Sequence, residues 1–176
     1  MHTITLFKLD EAAWHALRAK LAARAPAARA WRARDENLMY VYVEAAEAEL
    51  LPRELPRGAT RIELLRHSRV DGAAAGQQAR VHYVVETDVE PGYEDELNAW
   101  YDREHLPGLA AVAGTALALR YVDPIGSPRY YACYDLADER AFNSPAWLDV
   151  RATPWSSRVR PRFRNTRRTM FDPVLA

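Results

Sequence analysis

The chain has 176 residues, 49% of them hydrophobic and 27% charged, with 24 basic and 24 acidic side chains and no formal net charge. That length suffices for one large domain or two small ones with cores of their own, and the neutral balance gives no electrostatic drive toward nucleic acid or a membrane surface. A single cysteine, Cys133, excludes an internal disulfide and a thiolate metal cluster within one chain.

All basic residues but Lys8 and Lys20 are arginine. With the alanine-rich segments this fits a GC-rich coding bias and a bacterial source. The start, MHTITLFKLDEAAW, lacks the basic end and apolar run of a signal peptide. No apolar stretch approaches the roughly 20 residues that span a bilayer. The expectation is a cytoplasmic protein with neither nucleic acid nor membrane as partner.

Thr3 to Leu9 is rich in apolar and β-branched residues and reads as a strand. Asp10 is a plausible N-cap for a helix with Trp14, Leu17 and Leu21 as its stripe and Pro26 beyond its end. Ala28 to Arg34 reads as a second strand and Leu38 to Val43 as a third. Glu44 to Leu51 has helical propensity, bounded by Pro52. Thr60 to His67 reads as a fourth strand. Residues 71–79, DGAAAGQQA, hold two glycines and no large apolar side chain and are the best linker in the chain.

The order then repeats. Arg80 to Asp88 reads as a strand, and Tyr93 to Pro107 as a helix that stops or bends at its proline. Leu109 to Val112 adds one helical turn, closed by Gly114. Thr115 to Val122 and Tyr130 to Leu136 read as strands around a turn of Pro124, Gly126 and Pro128. Asp138 to Phe142 starts a helix, and Ser144-Pro145 reads as an N-cap with proline at the first helical position. The helical pattern continues to Val159 with an interruption at Pro154. Phe163 to Phe171 reads as a last strand.

Each half therefore reads βαββαβ, the ferredoxin-like order, with helices on one face of an antiparallel sheet. The other face of such a sheet is apolar and needs a cover. The division expected is 1–70 for the first unit, 71–79 for the linker and 80–176 for the second. The two bare faces are expected to pack together.

Tyr93 to Pro107, YEDELNAWYDREHLP, carries the strongest hint of a site. At 3.6 residues per turn, Tyr93, Leu97, Trp100, Tyr101, Glu104 and His105 share one broad face. Leu, Trp and Tyr belong against a core; Glu104 and His105 belong there only with partners or a cavity. Tyr101 lies one turn before His105, within reach of it. Strand alternation sets His82 opposite Tyr83 and Val85, on a face shared with Val84 and Glu86. No glycine-rich phosphate loop, HExxH or G-x-S-x-G occurs, and no metal site is expected.

Trp100 to Pro107, WYDREHLP, resembles the dimeric α/β-barrel superfamily, most closely its EthD-like members, through Trp100, Tyr101, His105, Leu106 and Pro107. The resemblance extends over residues 80–171. It implies tandem ferredoxin-like units forming a dimeric-α/β-barrel-type fold within one chain, with the first half a degenerate copy whose helix has His15 mid-way and no terminal His-x-Pro. Pairing of both halves between chains, as a homodimer, is the other arrangement. The chemistries implied are cofactor-free monooxygenation, cyclisation and isomerisation and, in distant branches, haem-dependent reactions.

Three functions follow as expectations. In the first, an enzyme or binder for a small aromatic or polyketide-like molecule uses His105 as acid or base and Tyr101 as its hydrogen-bonding partner, with Trp100, Glu104 and His82 contacting the ligand. In the second, the same residues are structural, His105 capping carbonyls and the aromatics filling the core. In the third, His105 binds haem. The arginines from Arg158 to Arg168 either bind an anionic ligand or partner or form a solvated helix end and edge strand.

Overall fold

The structure, a computed structural model, describes residues 2–174. Two compact units are formed, Met1–Arg66 with Met170–Ala176, and His67–Thr169. The divisions fall inside two strands rather than at residues 71–79. No helix among the described residues is long and apolar enough to cross a membrane.

The first unit contains β1 (Thr3–Leu9), α1 (Glu11–Arg24), β2 (Arg29–Ala33), β3 (Met39–Glu44), α2 (Ala45–Ala48) and β4 (Ala59–Asp71) as far as Arg66. Its strands order β4-β1-β3-β2, all antiparallel. Asp10 caps α1 as its position predicts, its Oδ1 accepting from the Ala13 N–H at 2.7 Å. Leu17 and Leu21 of α1 pack on Phe7, Leu9, Met39, Val41 and Val43 of the sheet. The helix expected over Glu44 to Leu51 is a single turn, Ala45–Ala48, ahead of Pro52.

The second unit contains β5 (Val81–Val89), α3 (Glu94–Trp100), a π-helical turn (Tyr101–His105), α4 (Leu106–Ala110), β6 (Thr115–Val122), β7 (Tyr130–Leu136), α5 (Pro145–Arg151), α6 (Pro154–Val159) and β8 (Phe163–Pro173) as far as Thr169. Its order, β8-β5-β7-β6, repeats that of the first unit strand for strand. The side chains of β5 and β7 are buried on both faces. Tyr83 and Tyr134 meet Trp147 of α5 on one face. His82, Val84 and Cys133 lie on the other.

The expected linker, residues 71–79, is tied into the second unit. The backbone N–H groups of Gly72, Ala73 and Ala74 donate to Ala116, Ala110 and Thr115 carbonyls at 2.8–2.9 Å. A Cβ on Gly72 would lie 2.1 Å from the Thr115 carbonyl oxygen, so the close approach requires glycine.

The helix expected to stop or bend at Pro107 runs on to Ala110. The Leu106 N–H bonds to the Tyr101 carbonyl five residues back, widening one turn. That turn accommodates the pyrrolidine ring, which in a regular helix would press on the carbonyl four residues earlier. It also changes what the helix can present. Residues five apart on an α-helix point about 140° apart, whereas here Trp100 and His105 come face to face.

Candidate functional site

Trp100 is fully buried at the end of α3, its Nε1 donating to Ser156 Oγ of α6 at 3.3 Å. Its indole supports the His105 imidazole, with centroids 4.1 Å apart and 21° between the planes. Tyr101 meets the same imidazole edge-on, centroids 5.4 Å apart. The expected hydrogen bond between Tyr101 and His105 is not formed: His105 Nδ1 is buried and has no hydrogen-bond partner. The Arg120 guanidinium instead lies over the Tyr101 ring at 4.3 Å and donates to Asn98 Oδ1 at 2.9 Å.

His105, Tyr101 and Trp100 line a cavity of about 30 Å³. Tyr83, Tyr134 and Trp147 form its aromatic walls, and Arg151, Arg160 and Arg168 complete the lining. The inner residues are buried. Arg151 and Arg160 are half-buried and Arg168 is exposed. The Tyr134 hydroxyl is a second buried group here without a partner.

The charge states follow from burial and from the arginines. Burial first, then Arg160, Arg151 and Arg120, bring the His105 pKa down to about 3, so the imidazole is neutral at pH 7. Burial raises Tyr101 to about 12 against the opposing pull of Arg120. Burial holds the Tyr134 phenol well above its ordinary range. Arg160 is lowered by burial and by repulsion from Arg151 and Arg168. The cations favour an anion in the cavity, and the unpartnered imidazole nitrogen gains a proton readily only when such an anion offsets the burial and the arginines that depress it.

Two residues singled out in the sequence lie elsewhere. Glu104 turns toward α6, accepting from Thr153 Oγ1 at 2.6 Å, while Thr153 in turn accepts from the Ser156 N–H. It therefore ties the π-helical turn to the α6 cap. His82 sits on the opposite face of β5, its Nδ1 2.6 Å from Asp135 Oδ1, both residues buried. The alternation expected for His82 holds, and the same alternation takes it away from the His105 cavity.

Arg151, Tyr134 and Trp147 were not singled out by the sequence reading. Tyr134 shares strand parity with the helix-facing Ala132 and Tyr130, a signal that becomes usable once register is known. Trp100 and Tyr101 cover one face and one edge of the His105 imidazole.

No protein-family model and no curated protein matches the sequence. Among solved structures, the chain is similar to an anthrone oxidase-like protein, with 12% identity over 99% of this chain and 92% of that one and a TM-score of 0.65. It is similar to a ferredoxin-fold protein from Listeria monocytogenes related to antibiotic biosynthesis monooxygenases, at 12% identity over 100% and 97% and a TM-score of 0.61. It is also similar to a heme-degrading enzyme from Listeria monocytogenes, at 12% identity over 97% and 98% and a TM-score of 0.60. At such identity the likeness is one of fold, and the fold is that of tandem ferredoxin-like units of the dimeric α/β-barrel type within one chain.

Proposed function

We propose that this chain binds a small aromatic or polyketide-like molecule at the His105 cavity and removes a proton from it. The observation that carries the reading is the neutral, buried and unpartnered Nδ1 of His105 in an aromatic cavity. The proton leaves an acidic C–H or O–H of the substrate for Nδ1, and the bonding pair stays on the substrate as an enolate or phenolate. The imidazolium then faces that anion. Arg151, Arg160 and Arg168 stabilise the negative charge as it develops. The same anion is the first species of an isomerisation, a cyclisation or an oxygenation with dioxygen as oxidant.

The cavity admits only the acidic edge of such a molecule, so the rest of the ring system lies toward the arginines. Trp100 holds the imidazole plane, and Tyr101 blocks its edge against water. The similarity to an anthrone oxidase-like fold and the EthD-like resemblance of Trp100–Pro107 favour a carbon acid flanked by aromatic rings. The stacking of His105 on Trp100 also suits a protein that binds such a ligand without transforming it.

The test is deuterium exchange at the acidic carbon of anthrone, followed by NMR in D₂O with wild type and His105→Gln. Faster exchange with wild type, lost in a His105→Gln protein that still melts cooperatively, is the expected result. Equal rates for the two proteins would overturn the proton-transfer role. Ligand-induced stabilisation of wild type without exchange would identify a binding protein.

A further inference from the structure

Arg151, Arg160 and Arg168 come from three separate elements, the end of α5, the turn Arg160–Arg162 after α6, and β8. They line the same small cavity. No carboxylate is among its lining residues, and none of the three makes an ion pair with a carboxylate among the described residues. Their donors are little used. Arg151 reaches Asn143 Oδ1 and Arg160 reaches the Arg151 carbonyl, each only at 3.4 Å. Elsewhere in this unit the chain pairs its arginines readily, Arg162 with Glu90 at 2.9 Å and Arg140 with Asp138 at 2.6 Å. Three neighbouring cations left uncompensated repel one another and reduce stability.

Two buried polar groups point to what is missing. His105, 7% exposed, and Tyr134, 1% exposed, line the same cavity, and His105 Nδ1 and the Tyr134 hydroxyl have no hydrogen-bond partner. Buried polar atoms are nearly always satisfied, and exceptions at a cavity are met by a catalytic role, a water or a bound group. A ligand that satisfies both sets presents a hydroxyl or acidic edge to the inner pair and a negative charge to the outer three. Tyr83, Trp147 and Phe163 give an aromatic group ring surface to lie against.

We propose that the substrate is a small aromatic carboxylate and that Arg151, Arg160 and Arg168 form its carboxylate subsite. This rests on the reading of His105 as the proton-accepting end of the same site. The arginines hold the carboxylate through charge-assisted hydrogen bonds, and its geometry matches their planar forks. The carboxylate screens the cationic field around His105, so that binding makes the imidazole a better base.

The test is isothermal titration of the full chain with 1-hydroxy-2-naphthoate, its carboxamide and inorganic phosphate. Wild type, Arg160→Gln, Arg168→Gln and His105→Gln are compared. The expected result is that the carboxylate binds wild type and the carboxamide binds at least about tenfold more weakly. Each arginine variant loses about tenfold for the carboxylate only, while melting at or above the wild-type temperature because a repelling charge is gone. Arg160→Lys recovers part of the loss. Equal affinity for carboxylate and carboxamide overturns the subsite, as does unchanged binding in both arginine variants. Phosphate binding as tight as the carboxylate, lost in the same variants, identifies a general anion site and overturns the aromatic assignment. Carboxylate binding that depends on the arginines, with no proton exchange dependent on His105, keeps the subsite and sinks the catalytic reading instead.

Discussion

The imidazole of His105 lies flat on the indole of Trp100, 4.1 Å between centroids, and its Nδ1 is left buried without a partner. A histidine in this setting has its ring orientation fixed by packing and its protonation fixed by its surroundings. Burial and the nearby arginines act in the same direction, against the imidazolium.

That direction gives a pH dependence of stability. The unfolded chain takes up the His105 proton near pH 6.5, whereas the folded chain does so only near pH 3. Between those values the unfolded state binds more protons, so stability falls as pH falls. The His105 contribution to the loss is roughly 1 kcal/mol per pH unit. Urea denaturation of wild type and His105→Gln at pH 7, 5 and 4 measures it. The wild type is expected to lose more than the variant between pH 7 and 4; parallel losses would show that burial does not depress this histidine.

Tyr134 offers a contrasting test. Its hydroxyl is buried without a hydrogen-bond partner, so Tyr134→Phe removes an unsatisfied group and keeps the ring packed on Tyr83 and Trp147. Stability is expected to stay level or rise by up to about 1 kcal/mol, while affinity for a hydroxylated ligand falls. A clear drop in the urea midpoint would mean that the hydroxyl has a structural partner.

His82 and Asp135 form a buried hydrogen-bonded pair at 2.6 Å on the face of β5 and β7 away from the His105 cavity. Removing either side chain takes away a buried hydrogen bond. His82→Ala or Asp135→Ala is therefore expected to cost about 3 kcal/mol or more. The double variant is expected to cost less than the sum of the two, as a double-mutant cycle would measure. Strict additivity would show that the pair is not coupled.

Thr153 both caps α6 and holds Glu104, accepting from the Ser156 N–H at 3.1 Å and donating to Glu104 at 2.6 Å. Thr153→Val keeps the shape and loses both bonds, for an expected cost of about 1–2 kcal/mol. Thr153→Ser is expected to restore most of it. Equal melting temperatures for the two variants would remove Glu104 from the structural framework of the π-helical turn.

The strands were the most legible part of the chain. Thr115–Val122 and Tyr130–Leu136 fall at their sequence-predicted ends, because an alternating run and an aromatic run around the turn of Pro124, Gly126 and Pro128 leave few alternatives. The N-caps at Asp10 and Ser144 were equally readable, since capping is a local interaction. The π-helical turn was not readable. Proline argues for a stop, and only the packing of Trp100, Tyr101 and His105 decides that the chain continues through it.

The sequence by itself determined the repeated βαββαβ order, the buried face of the Tyr93 helix and the opposite faces of His82 and Tyr83. These follow from periodicities of 3.6 and 2, which the backbone imposes locally. Tertiary structure alone decided that Arg151, Arg160 and Arg168 share a cavity with His105 and that Glu104 turns away to Thr153. Such placements depend on strand register and on helices meeting across many residues. A one-residue difference in either reassigns every side chain, and no local pattern specifies them.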